Sequence, residues 1–195
     1  MKNKIIILTG MPGAGKGGIS QIMSWQPNTV HISTGDLFRS LDPESELGKR
    51  VAEIINSGNL VGDDIVNEMV APKLTPGRDL LLDGYPRSIP QVEWLLNKVD
   101  DTRFDVIAFF LEISEEVSLF RRDKRVANAL QKGEAPRKDD LDPTILPKRF
   151  AEYREKTEPM IEFLRKRLGD NFFTIDASVV IEDVYSEIMK ILFRK

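Results

Sequence analysis

The chain has 195 residues, 30% of them charged, and a formal net charge of −3. That suits one globular domain with a sizeable core, and it gives no basic excess for nucleic acid or an anionic membrane. With no cysteine, disulfides and thiolate zinc sites are excluded. No apolar stretch approaches the roughly 20 residues of a membrane span, and the N-terminus runs straight into strand-like sequence instead of a signal peptide, so a cytoplasmic protein is expected, and a core of this size suits a monomer.

Residues 5–8, IIIL, form a continuous β-branched and aliphatic run, which suits a strand buried on both faces of a parallel sheet. Residues 10–16, GMPGAGK, then fit G-x-x-x-x-G-K. Glycines let such a loop approach phosphate oxygens and turn successive N–H groups toward them. The helix expected from about Gly15 adds its positive end, and Lys16 supplies a mobile cation. Gly17 follows where the pattern usually places a Ser or Thr on magnesium. The metal is therefore expected to be held through water and carboxylates.

Residues 18–25 continue as a helix with Ile19, Ile22 and Met23 on one face, although Gly17 and Gly18 cost it about 1 kcal/mol each relative to Ala. Such a cost points to close approach or to simple tolerance. Residues 29–32 form a second strand, and 33–39 a helix capped by Ser or Thr. Leu47, Val51, Ile54 and Ile55 mark another helix, closed by Gly58. The next carries Ile65, Val66, Met69 and Val70 behind a cap at Asp63 or Asp64. Residues 80–82 are a third strand running into Asp83, and a helix at 90–97 turns Val92, Leu95 and Leu96 inward. A fourth strand covers 106–111 and a fifth 172–175. Between them lie a charge-rich stretch at 115–137 and a long helix from about 148 to 168, begun by Pro147. Five short apolar strands separated by helical patterns give an α/β fold, a five-stranded parallel sheet with helices on both faces. Ligands of such folds sit at the carboxyl ends of strands.

Four segments, GMPGAGKGG at 10–18, HISTGDLFR at 31–39, LLLDGYPRSIPQ at 80–91, and RKDD with PKRF within 137–150, resemble adenylate kinase in order and spacing over nearly the whole chain. The resemblance implies a P-loop NTPase-type core at 1–32, 75–120 and 148–195. It also implies a helical monophosphate-binding insertion at 33–74 and a short lid at 121–147. The implied activity is reversible, magnesium-dependent phosphoryl transfer from ATP to AMP, giving two ADP. Gly13, Ala14, Gly15, Lys16, Gly17 and Gly18 match the loop around the ATP phosphates. Thr34 and Arg39, then Asn59, Leu60 and Val61, then Gly84, Tyr85, Pro86, Arg87 and Gln91 match the AMP pocket.

Transfer between two nucleotides gathers negative oxygens in one place, so catalysis is mostly positioning and charge stabilisation away from water. Arginine suits it through its planar fork, and Arg39 and Arg87 would hold the acceptor phosphate. Arg121 and Arg125, four apart on one helical face, match the pair bracketing the family's lid, with Arg122 replacing Arg121 under a one-residue shift. Arg137 and Arg149 match the arginines of the lid return and the following helix. Asp83 and Asp36 fall at or just beyond strand ends, where they would hold magnesium-bound water, although Asp36 equally suits a helix cap.

Two departures stand out. Gly18 occupies the family's threonine position, and VANALQKGEAP at 126–136 matches neither the long zinc-bearing lid nor the usual short one. They motivate one alternative, a nucleotide-binding regulatory module without transfer. The other is a UMP/CMP kinase, against which Thr34 and Gln91 stand, since those relatives tend to carry Ala and Asn there.

Overall fold

The computed structural model describes residues 2–99, 103–136, 138–142 and 144–193. Strands β1 (Asn3–Thr9), β2 (Thr29–Ser33), β3 (Asp79–Asp83), β4 (Phe104–Glu112) and β5 (Phe172–Asp176) form one sheet in the order β2-β3-β1-β4-β5. Every neighbouring pair is parallel; Ile5 of β1 lies opposite Leu80 on one side and Val106 on the other.

The unbroken apolar run of β1 follows from its central place. Ile5 and Ile7 face one core, with Leu80, Leu82, Val92, Leu95, Met160 and Leu164. Ile6 and Leu8 face the other, with Ile19, Met23, Leu81, Phe109, Val184 and Ile188. A strand alternates its side chains between faces, so one buried on both must be apolar throughout.

Helices cover both faces. Helices α1 (Lys16–Met23) and α10 (Ile181–Phe193) pack over the second core, while α5 (Ile89–Lys98) and α9 (Glu158–Leu168) pack over the first. Between β2 and β3 the chain is helical, with α2 (Thr34–Arg39), α3 (Glu46–Asn56) and α4 (Asp63–Val70). Helix α6 (Glu115–Gln131) leaves β4 and is followed by α7 (Lys138–Leu141) and α8 (Ile145–Glu152). Serines start several of them: Ser33, Ser45, Ser88 and Ser114 accept from the N–H of Asp36, Gly48, Gln91 and Val117, each satisfying a donor of a first turn. Among the described residues no helix is long and apolar enough to cross a membrane.

Three expectations differ from the structure. Neither Asp63 nor Asp64 caps α4: Gly62 holds that position without a side-chain bond, and Asp63 turns its carboxylate to Ser88 and Gln91. Pro147 does not begin its helix, because α8 already starts at Ile145. Proline is tolerated there since no N–H in the first turn has an intrahelical partner. The expected long helix is also interrupted, by a π turn at Tyr153–Thr157 joining α8 to α9.

Candidate active site

The loop at 10–16 leaves the carboxyl end of the central strand and delivers the chain into α1. Gly15 takes the capping position at φ 91°, a conformation that disfavours any side chain. Ser118 of α6 braces the loop, its Oγ donating to the carbonyl of Pro12 at 2.6 Å. Lys16 bends back over the loop, its Nζ donating to the carbonyls of Gly10 at 2.6 Å and Met11 at 3.0 Å.

Beside this loop opens a cleft of about 380 Å³. Of the residues expected to hold a monophosphate, it brings together Thr34, Arg39, Asn59, Leu60, Val61, Gly84, Pro86, Arg87, Gln91 and Arg149, with Lys16 at its edge. Phe38, Ile55 and Val66 supply an apolar wall. At Gly84 the chain must be glycine: φ is 77°, and a Cβ would come within 2.8 Å of both Thr34 Oγ1 and the Arg87 guanidinium. The Gly84 carbonyl in turn accepts from Thr34 Oγ1 at 3.1 Å and Arg87 Nε at 2.8 Å. Arg39 pairs with Asp36 one turn earlier.

The side chain of Tyr85 does not reach the cleft. It is fully buried, its hydroxyl donating to Asn67 Oδ1 at 2.7 Å, and burial raises its pKa. It is a packing residue whose neighbours line the site.

Positive charge is concentrated here. Burial and the nearby Arg87 and Arg149 guanidinium groups lower Lys16 to about 8, against its ordinary 10.5, with Asp83 opposing them. Arg87 is lowered by desolvation and by Arg149. Asp83, which burial alone would raise, is held below the usual carboxylate range by His31, Lys16 and Ser20. The His31 Nε2 lies 3.5 Å from Asp83 Oδ2, so the one histidine faces a carboxylate.

A second hollow lies along α6, lined by Arg121, Lys124, Arg125, Lys132 and Asp140 among others. Arg121 is the arginine turned to the loop: it donates to the carbonyls of Gly13 at 3.3 Å and Ala177 at 2.6 Å, while Arg122 pairs with Asp123. Arg125 forms a fork to Asp140, at 2.7 and 2.6 Å. Arg137 lies outside the described residues.

The two adjacent glycines of α1 differ. A Cβ on Gly17 would meet nothing within 4 Å, whereas one on Gly18 would lie 2.6 Å from Ile181 Cδ1. The space of the expected threonine is thus filled by Ile181. Sequence reasoning also missed Glu152, Tyr153 and Thr157, which line the cleft. Thr157 donates to the Arg87 carbonyl at 3.1 Å. No local pattern announces them, because a π turn breaks the 3.6-residue period.

Magnesium asks for oxygen ligands and keeps several waters, commonly taking only one or two carboxylates. Among the described residues no three acidic or imidazole side chains converge as a cage. One ionised carboxylate, Asp83, stands beside Lys16. This donor set fits a water-mediated ion.

The adenylate kinase family model matches residues 8–168. The chain is similar to the protein named adenylate kinase from Brucella ovis, 34% identical over 192 residues that span 96% of this chain and 97% of that one. It is likewise 35% identical to the adenylate kinase of Bartonella henselae over 193 residues, 96% and 98% of the two chains. Against that of Bartonella tribocorum it is 36% identical over 167 residues, 83% and 86% of the two.

Proposed function

The chain belongs to the adenylate kinase family and transfers a phosphoryl group reversibly from ATP to AMP, giving two ADP; from that premise we propose how its residues divide the work. The observation that carries the assignment is the meeting of Lys16, Arg87 and Arg149 at one cleft, with the loop amides beside them. Lys16, held down in the free protein by desolvation and by its two guanidinium neighbours, gains most when an anion arrives.

Lys16, Arg87, Arg121, Arg137 and Arg149 carry the transition-state charge. Gly13, Ala14, Gly15, Gly17, Gly18 and Arg125, with Lys16 and Arg121, hold ATP. Thr34, Arg39, Asn59, Leu60, Val61, Gly84, Pro86 and Gln91, with the main chain of Tyr85 and with Arg87, Arg137 and Arg149, hold AMP. Arg39 and Arg87 grip the acceptor phosphate in forks, and Gln91 meets the base. Residues 33–74 act as the monophosphate-binding unit over the core at 1–32, 75–120 and 148–195. The segment 121–147 closes as a lid and keeps water from the reacting phosphates. Magnesium would be held through water by Asp83, with Asp36 contributing once released from Arg39. When bound, it neutralises charge on the transferring phosphates. The absence of cysteine supports a reducing cytoplasm, and the extent of the single sheet's two cores supports a monomer.

Acceptor-dependent turnover tests the reading. With magnesium and ATP, purified protein should form ADP with AMP and far more slowly with CMP, UMP or GMP. Faster turnover with CMP or UMP would overturn the assignment of Thr34 and Gln91. ATP binding without transfer to any acceptor would overturn the catalytic roles.

A further inference from the structure

We propose that Asp63 is a positioning residue for base selection: together with the main-chain N–H of Arg87 it locks the Gln91 amide in one orientation, so that the acceptor site takes a 6-aminopurine and rejects a 6-oxopurine. The inference rests on the reading above that Gln91 meets the acceptor base.

Gln91 lines the cleft but is only 3% exposed, so its amide is held and not solvated. Its Nε2 donates to Asp63 Oδ1 at 2.7 Å, and its Oε1 accepts from the Arg87 N–H at 2.7 Å. A main-chain N–H only donates and a carboxylate only accepts, so these two contacts decide which end of the amide is oxygen. Turning the amide over would set N–H against N–H and oxygen against oxygen, replacing two bonds by two repulsions. The carboxylate is itself fixed. Ser88 Oγ donates to the same Oδ1 at 2.9 Å while it accepts from the Gln91 N–H at 3.3 Å.

What remains on Gln91 is one N–H on Nε2 and one lone pair on Oε1, at ends of the amide whose order is fixed. Adenine offers a ring acceptor at N1 beside an amino donor at C6. Hypoxanthine reverses the pair, with a donor at N1 and an oxygen at C6. A locked amide that suits the first leaves like against like for the second, and a site left with unpaired buried polar groups rejects a ligand strongly. A free amide would rotate and accept both.

The test compares kcat/KM for AMP and for IMP in the wild type, Asp63→Asn and Gln91→Ala. Asp63→Asn keeps the shape but introduces an amide able to donate as well as accept. Its AMP-over-IMP preference is expected to fall by about tenfold or more, chiefly through KM. Turnover with both acceptors falling together at an unchanged ratio would make Asp63 merely structural and overturn the proposal. Gln91→Ala separates this failure from that of the underlying reading. If the ratio survives Gln91→Ala, Gln91 does not meet the base; if it collapses there but not in Asp63→Asn, only the positioning role falls. A measurement on the unmutated protein stands apart from any folding defect. The Gln91 side-chain amide protons, followed by 15N NMR, should exchange slowly with solvent, and exchange at the rate of a free amide would overturn the lock.

Discussion

Lys16 illustrates at the level of one residue how a charge proposed to serve catalysis opposes folding. It is held near 8 in the folded chain against an ordinary 10.5, because it is buried among like charges. Between those values the unfolded chain keeps a proton that the folded chain has released, so stability rises with pH across the window. The cost is fully present below about pH 8. Lys16→Met should therefore raise stability at pH 7 by up to about 3 kcal/mol while abolishing turnover, and the gain should shrink as pH rises from 8 to 10.5. Denaturant unfolding of both proteins at a series of pH values measures it; a gain that does not vary with pH would mean that Lys16 carries no such penalty. Gly17 gives a simpler case. Its Cβ position is open, and it sits in a helix, so Gly17→Ala should add up to about 1 kcal/mol of stability in the same measurement.

Between elements, the contacts that set the site are those with no local signature. Tyr85 joins the loop after β3 to α4 through its buried bond to Asn67. Tyr85→Phe would leave the Asn67 oxygen unsatisfied and should cost about 1–3 kcal/mol in the unfolding free energy. It should also raise KM for AMP, since Gly84 and Pro86 on either side line the cleft. An unchanged KM would show that the loop keeps its place without that bond.

The strands and the phosphate loop were legible because the buried apolar run and the glycine spacing are properties of adjacent residues. The second side-chain contacts were not. Asp63 reads as a helix cap, since an aspartate before an apolar periodic run ordinarily is one. Its partners Ser88 and Gln91 lie 25 and 28 positions away, and only the packing of α4 against α5 brings them near. Pro147 likewise reads as a helix start, although later positions of a first turn, whose N–H groups also lack intrahelical partners, accept it too. The π turn at Tyr153–Thr157 was hidden for a related reason: one wider turn shifts the phase between two helices that are each periodic, and it brings Thr157 to the Arg87 carbonyl.

For the whole molecule, the order β2-β3-β1-β4-β5 places the phosphate loop at the middle of the sheet, with the helices after β2 on one side and α6 on the other. Two nucleotides approaching from those sides would meet over Lys16. The cations gathered there underlie the proposal that charge stabilisation at this one cleft carries the transfer. Turnover of Arg87→Ala with magnesium, ATP and AMP, measured beside its unfolding curve, tests that claim most directly. Turnover is expected to fall by orders of magnitude in a protein that still unfolds cooperatively, because the substitution removes charge and not core packing. Near wild-type turnover from the folded variant would contradict it.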